Sequence, residues 1–466
     1  MAWLEMPLLI KNGRVITAEK DFYADIYIEK EIIAAIGDKL DFTADKIIDA
    51  AGKYVIPGGI DVHTHLDMPY GKIKSSDDFE SGTIAAAFGG TTSIIDYATQ
   101  TRGTRIESAL EQWHKKAEGK ACVDYGFHMI VTDLSTGGID SLDTMLNEGV
   151  TSFKLFTAYP NSLMVDDDTI LQVLRFSKEK GALVCVHAED GIKIEELIKR
   201  NLAEGKKEPI YHALSRPAVT EANAVEHVIN LSQKAGAPVY IVHLSSDAGL
   251  QKIIEARNRG AHVYAETCPQ YLSLSLEDMN KPGFENAKYV FTPPLREKFN
   301  LEKLWGGIRN NFIQTIATDH CPFNFKNEKE LGLNDFSKIP NGAPGIETRM
   351  HLIYDKGVNS GKISLNKWID LTSTSPAKIF GLYPRKGTIA LGSDADIVIW
   401  DPEKEFVISA ETDHMNVDYS LYEGEKIIGN AETVISRGEI IIDKNRFTGR
   451  KGRGIYLRRD RFSLDS

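Results

Sequence analysis

Between about residues 58 and 380, short apolar runs of strand length alternate with amphipathic stretches of helical length, and this alternation restricts the chain to folds built on a parallel sheet. Eight runs carry it: Ile60 to His65, Thr92 to Tyr97, Val123 to His128, Thr151 to Phe156, Ala182 to His187, Pro238 to His243, His262 to Thr267 and Gln314 to His320. Helical candidates such as TILQVLRFSKEKG and AVEHVINLSQKAG fall between them, each closed by a glycine of C-cap type. Eight such units predict an α/β fold of the TIM-type (β/α)8 barrel, about 250 residues plus insertions. The alternative is an open doubly wound sheet. No GxGxxG follows the first strand to support a dinucleotide site there, and no Walker motif occurs.

The two ends have a different texture. Leu8 to Thr17, LLIKNGRVIT, alternates apolar and polar residues around Asn12-Gly13, the strongest short hairpin signal, and predicts a turn there. Further short β-like runs follow to Gly59. After Ser373 the same pattern returns in KGTIALGSDADIVIWDP and EKIIGNAETVISRGEIII. The expected organisation is a small β-sandwich domain built from both chain ends, residues 1–57 and 381–440, beside a catalytic barrel over 58–380, with a basic arm over 441–466.

Composition narrows the function. Lys plus Arg number 55 against 66 for Asp plus Glu, a formal charge of -11, which repels a phosphate backbone over most of the surface and argues against nucleic acid as a partner. No run of about 18 apolar residues exists, so no membrane span is expected. The start MAWLEMPLLIKNGR lacks the parts of a signal peptide, and the expected location is cytoplasmic. Cys122, Cys185, Cys268 and Cys321 are far apart with no CxxC spacing, which argues against a disulfide framework and a cysteine zinc site. The arm carries Lys444, Arg446, Arg450, Lys451, Arg453, Arg458, Arg459 and Arg461. In an acidic protein it reads as a solvated tail or a segment that docks on a neighbouring subunit.

Metal-binding residue types cluster at the C-terminal ends of the barrel strands, the face on which barrel enzymes place their active sites. His63 and His65 are two apart on a strand, so both point to one side and can hold a metal between them. Alone, an HxH pair is also compatible with ordinary packing. His187 and His243 end two further strands and Asp319 ends the last, and core histidines or a capping carboxylate do not explain all of them at one height. Lys154 lies inside the apolar run TSFKLF, where an unpaired ammonium is strongly disfavoured. It needs either a carboxylate partner or a modification. Near metal cations a lysine loses its proton readily, and the neutral amine can take up carbon dioxide to form a carbamate that bridges two metals.

The runs DVHTHLDMPYG, SFKLFTAYP, VHAEDG, HALSRPAV, VHLSS, ETCPQYL, TPPLR, ATDHCPF and IPNGAPGIETRM, in this order, resemble the dihydropyrimidinase and D-hydantoinase family of the amidohydrolase superfamily, from about Leu8 to Glu439. The resemblance implies a metal-dependent cyclic amidase with two Zn2+ per subunit, or Mn2+ or Co2+ on the same ligands. It places His63, His65, Lys154 and Asp319 on one ion, and Lys154, carboxylated, with His187 and His243 on the other. Attack by a metal-bridging hydroxide is the implied chemistry. Tyr159 would hydrogen-bond the developing oxyanion, and Asp319 would act as general base turned acid. Thr292, where the family more often has Ser, and Asn341 would read the substrate's ureide edge, largely through backbone groups.

The implied substrates are 5,6-dihydropyrimidines and 5-monosubstituted hydantoins, opened to N-carbamoyl amino acids with a preference for the D-hydantoin. Leu66, Met68, Tyr70, Phe156 and Leu163 lie in the loops beside the metals and give an apolar lining suited to alkyl or aromatic substituents. The family usually forms tetramers, and a homotetramer is expected. Dihydroorotases and allantoinases share the metal motifs, but dihydroorotases typically place an Arg just after HxH, where Leu66-Asp67-Met68 stand here. Non-catalytic neuronal relatives have lost metal ligands, whereas all six positions are filled in this chain.

Overall fold

The computed structural model describes residues 7–464; residues 1–6, which begin the stretch read above as lacking a leader, and 465–466 lie outside the described residues. Eight parallel strands stand side by side in chain order: Gly59–Thr64, Thr91–Thr99, Asp124–Ile130, Ser152–Phe156, Leu183–His187, Val239–Ile241, Val263–Thr267 and Thr315–Ile316. Each overlaps one of the eight apolar runs. A parallel bridge from Thr64 to His320 brings the end of the circuit back to its start, so the sheet is a nearly closed barrel. Almost every strand residue is buried, because helices cover the outside and side chains fill the inside.

The helices between the strands start and stop where local chemistry dictates. Asp167–Lys180 begins at Asp166, whose carboxylate accepts from Thr169 N, and ends at Gly181 with φ 72°, a left-handed position that glycine occupies without steric penalty. Among the described residues no helix is long and apolar enough to cross a membrane.

The last barrel strand is only two residues long. Asp61 accepts from both Thr318 N, at 3.1 Å, and Thr318 Oγ1, at 2.7 Å, and this buried pairing draws the chain out of the ladder before Asp319.

Both chain ends build one eight-stranded mixed sheet, with Ile397–Val407 pairing antiparallel to Tyr54–Pro57 and so joining the late strands to the early ones. It has an apolar cluster of its own that includes Ile10, Val15, Ile26, Val55, Ile397 and Ile435. The expected turn at Asn12-Gly13 is corrected: Leu8–Ile16 is one continuous strand, and the pair forms a bulge within it, with a register shift between Ile10 and Gly13. Asn12 has φ 61°, and its side chain donates to Asp49 Oδ1 at 2.9 Å. A left-handed backbone serves a bulge as well as a turn, which is why the dipeptide alone did not discriminate. The reversal comes later, where Thr17 N donates to Lys20 O at 2.9 Å.

The basic arm is neither a free tail nor extended away from its own chain. Leu457 N donates to Tyr125 O at 2.7 Å and Phe462 N to Gly181 O at 2.9 Å, so the segment lies along the N-terminal end of its own barrel. Leu457, Arg453 and Arg459 are buried, and Arg459 Nη2 donates to Phe127 O at 2.6 Å and to Ser152 Oγ at 2.8 Å. The remaining basic side chains of the arm stay exposed.

Candidate active site and metal centre

The floor of the site is set by the barrel. His63 lies in the first strand and His65 just beyond it, and their Nε2 atoms stand 3.1 and 3.2 Å from the same oxygen, Asp319 Oδ1. Lys154, from the fourth strand, brings Nζ to 2.9 Å from His63 Nε2. His187 ends the fifth strand and His243 follows the sixth, with His187 Nδ1 3.0 Å from His243 Nε2. His243 and Asp319 both have left-handed backbones, φ 40° and 54°, conformations uncommon for residues with a Cβ that recur at functional sites.

Two carboxylates stand behind this floor and fix which ring nitrogens face it. Glu266 Oε1 lies 2.6 Å from His63 Nδ1 and accepts from His243 N at 3.0 Å, while Tyr240 donates to Glu266 Oε2 at 2.9 Å. Glu189 Oε2 lies 2.9 Å from His187 Nε2. With the outward nitrogens of His63 and His187 occupied by carboxylates, their inward nitrogens present lone pairs to the centre. Neither glutamate was singled out in the sequence. Glu266 carried a usable signal, a charged residue inside the apolar run HVYAET, of the same kind that drew notice to Lys154.

Burial governs the protonation states. It lowers the pKa of His187, of His65, to about 4, and of His243, which falls well below the ordinary range, so these rings are neutral donors. At His63 burial and the Lys154 charge pull the pKa down, but Glu266 and Asp319 outweigh them and raise it. Lys154 is itself lowered by burial despite the favourable charges of Asp319 and Glu266. Its Nζ sits 4.0 Å over the Tyr97 ring with a nitrogen as polar neighbour, so the simple carboxylate-paired lysine considered from sequence is not what the fold provides.

The donor set fits divalent metal ions. His63, His65 and Asp319 offer ligand atoms that all lie within 4.8 Å of one another. Imidazole nitrogens and a carboxylate converging on one point are ligand types arranged for a cation.

Above the floor opens a cavity of about 680 Å³. His65, Lys154, His187, His243 and Asp319 reach it, with His63 beneath them; Met68, Tyr70, Phe156, Tyr159, Leu163, Thr292 and Asn341 form its walls. Burial pushes the Tyr159 phenol up to about 12, so it is a hydrogen-bond donor at neutral pH. Leu66 is the exception and is corrected: it is fully buried in the main core, where its Cδ2 lies 2.4 Å from the place a Cβ on Gly82 would occupy, and it turns away from the cavity. Arg102, which carried no signal in the sequence, borders the cavity and donates to Ser162 O at 3.2 Å and Met164 O at 2.6 Å, tying down the loop that carries Tyr159 and Leu163.

Comparison with known proteins agrees with this geometry. Residues 54–441 match the amidohydrolase family model. A D-hydantoinase of Geobacillus stearothermophilus is 50% identical over 458 residues, 98% of this chain and 97% of that protein. A D-hydantoinase of Streptomyces coelicolor is 50% identical over 456 residues, 97% of each chain. The crystal structure of dihydropyrimidinase from Brevibacillus agri matches with a TM-score of 0.97 at 50% sequence identity, covering 98% of this chain and 100% of that one. With imidazoles, a carboxylate and a buried lysine converging on the barrel floor, and identity running nearly the full length of each pair, this chain belongs to the amidohydrolase family, among the D-hydantoinases and dihydropyrimidinases.

Proposed function

We propose that this enzyme opens 5,6-dihydropyrimidines and 5-monosubstituted hydantoins to N-carbamoyl amino acids, with His63, His65, Lys154 and Asp319 holding one divalent ion and Lys154, His187 and His243 holding a second. The observation that carries the reading is Lys154: a buried amine, drawn toward neutrality and surrounded by metal-ligand types, is suited to carboxylation into a bridging anion. Zinc is the expected metal, and manganese or cobalt would suit the same ligands. Two such ions supply an acidified water and positive charge beside the scissile carbonyl.

The remaining steps belong to the chain's own groups. Asp319, held by His63 and His65, takes the proton of the attacking water and returns it to the ring nitrogen as the carbonyl carbon to nitrogen bond breaks. That nitrogen leaves as the amide of the carbamoyl group. The Tyr159 hydroxyl donates to the oxyanion that forms on the attacked carbonyl oxygen. Backbone groups of Thr292 and Asn341 orient the imide edge, O=C–NH–C=O, which both ring types share. Phe156, Leu163, Met68 and Tyr70 accept the 5-substituent in apolar surroundings that disfavour an unpaired carboxylate.

The test is turnover on dihydrouracil, racemic 5-benzylhydantoin, 5-isopropylhydantoin, allantoin and dihydroorotate, with chiral analysis of the products. Opening of the first three is expected, with D products from the two substituted hydantoins, following the names of the two bacterial D-hydantoinases; dominant turnover of allantoin or dihydroorotate overturns the assignment, and L products overturn only its stereochemical part. Lys154→Ala is expected to lose metal and activity together. A homotetramer in the cytoplasm goes with this reading, and light scattering checks the oligomeric state.

A further inference from the structure

The backbone assigned above to the substrate's imide edge lies on two loops rather than on strands, residues 290–293 around Thr292 and 340–343 around Asn341. Strands hold their spacing through repeated ladder bonds, and loops need some other device. One direct main-chain hydrogen bond joins these two, Gly342 N to Val290 O at 3.1 Å. Beneath them lies Lys329, at the start of the one-turn segment Lys329–Gly332, with no exposed surface. Its Nζ donates to Val290 O at 2.8 Å, to Pro340 O at 2.7 Å and to Gly342 O at 2.7 Å.

Three acceptors around one nitrogen match the three hydrogens of an ammonium, whereas a neutral amine has two to give. The acceptors are all main-chain carbonyls, and their positions in sequence are informative. Val290 is two residues before Thr292, while Pro340 and Gly342 flank Asn341 on either side. None of the three belongs to a barrel strand, and none is a residue of the metal floor. Burial draws the Lys329 pKa down to about 7, but only the protonated amine satisfies all three carbonyls at once, so one nitrogen clamps together the two stretches assigned above to the imide edge. Charge-assisted bonds of this kind are shorter and stiffer than neutral ones, and a compact ammonium satisfies a three-way arrangement that the planar guanidinium fork does not.

We propose that Lys329 is a positioning residue for the cyclic ureide: its ammonium sets the separation between the Thr292 and Asn341 backbones and so holds the imide-reading edge in register with the metal floor. The inference rests on the cyclic-ureide reading of the site. It adds a residue that contacts neither the substrate nor the metals and acts only through the two loops.

The test compares wild type, Lys329→Met and Lys329→Arg as metal-loaded full-length proteins on hydantoin and dihydrouracil, reading KM, kcat, metal content and melting temperature. Lys329→Met is expected to keep its metal and to raise KM for both rings by about tenfold while kcat stays within about threefold, since an interaction felt equally in ground and transition states moves KM. Lys329→Arg is expected to retain the fold and metal and to raise KM by a smaller factor. A folded Lys329→Met with wild-type KM, or with metal content and kcat lost together, overturns the positioning role. If Lys329→Met does not fold, Lys329→Arg decides: a folded, metal-replete protein with raised KM supports the proposal, and either wild-type KM or failure to fold overturns it in favour of a purely structural lysine. A wild-type enzyme that opens neither ring would instead overturn the cyclic-ureide reading itself, and the two failures are distinguished by that control.

Discussion

His63 presents Nε2 to the cavity floor because Glu266 holds its Nδ1 at 2.6 Å, and the same carboxylate accepts from His243 N at 3.0 Å. One buried glutamate thus orients a residue from each of the two proposed metal positions. Glu266→Gln keeps the shape but removes the charge that favours a lone pair on the inward nitrogen, and outer partners of this type typically contribute about 10 to 100-fold in metal affinity. Competition with a chelator should show a loss in that range, and unchanged affinity would contradict the role. In the proposed mechanism Tyr159 acts at a later moment. Its hydroxyl, with the phenol pushed up to about 12 by burial, stays protonated throughout the working pH range. Tyr159→Phe is therefore expected to lower kcat by about 100-fold, as loss of an oxyanion donor does, with little change in KM. A defect confined to KM would mean that the hydroxyl holds only the ground state.

Among the elements, the loop after the fourth barrel strand Ser152–Phe156 is the one that the proposed reading makes responsible for substrate range. It folds back on itself through Leu163 N and Met164 N to Tyr159 O, each at 3.1 Å, and Arg102 pins its far side by donating to Ser162 O and Met164 O. Truncating Arg102 removes two charge-assisted bonds at an exposed position, a change of about 1 kcal/mol. Arg102→Ala should lower kcat/KM on 5-benzylhydantoin about fivefold and erode its enantioselectivity, while dihydrouracil, which has no substituent to place against Leu163, is affected less. Equal losses on both substrates would assign Arg102 to the chemistry and not to the loop. The single-chain course of the basic arm belongs to this scale too: a segment whose Leu457 and Arg459 are buried under the barrel is part of its closure, whatever its exposed charges do.

At the scale of the whole molecule, the barrel and the sheet built from both chain ends are joined by buried charge. Lys386 Nζ lies 2.7 Å from Asp124 Oδ2 at the start of the third barrel strand, 2.7 Å from Asp396 and 2.9 Å from Asp394, with all four side chains largely buried. Arg437, just after the strand Lys426–Ser436, pairs with the same Asp124 at 3.0 Å. Removing one partner of such a network leaves buried carboxylates uncompensated, so Lys386→Met is expected to destabilise the protein by about 3 kcal/mol in urea titration without altering the metal content of the folded fraction. A change below about 0.5 kcal/mol would show that Arg437 alone suffices.

Sequence by itself determined the eight-unit alternation, the placement of His63, His65, His187, His243 and Asp319 at or near strand ends and of Lys154 within a strand, and the pairing of the two chain ends, because periodicity and position along a strand are local properties of a barrel. Tertiary structure alone decided what those residues face. Glu266 became the partner of His63 through strands that only closure brings together, whereas Glu189 reaches the His187 ring from two residues further along the chain through the local turn of the backbone. Leu66, next to His65 in sequence, went to the core because the chain turns inward against Gly82, and adjacency along a loop does not say which side chain points to the cavity. Asn12-Gly13 became a bulge, since the same left-handed preference serves two geometries and only the register with Asp21–Glu29 selects between them. Lys329 and Arg102 gained their roles from carbonyls whose positions no side-chain pattern encodes, which is why neither was legible before the chain was seen folded.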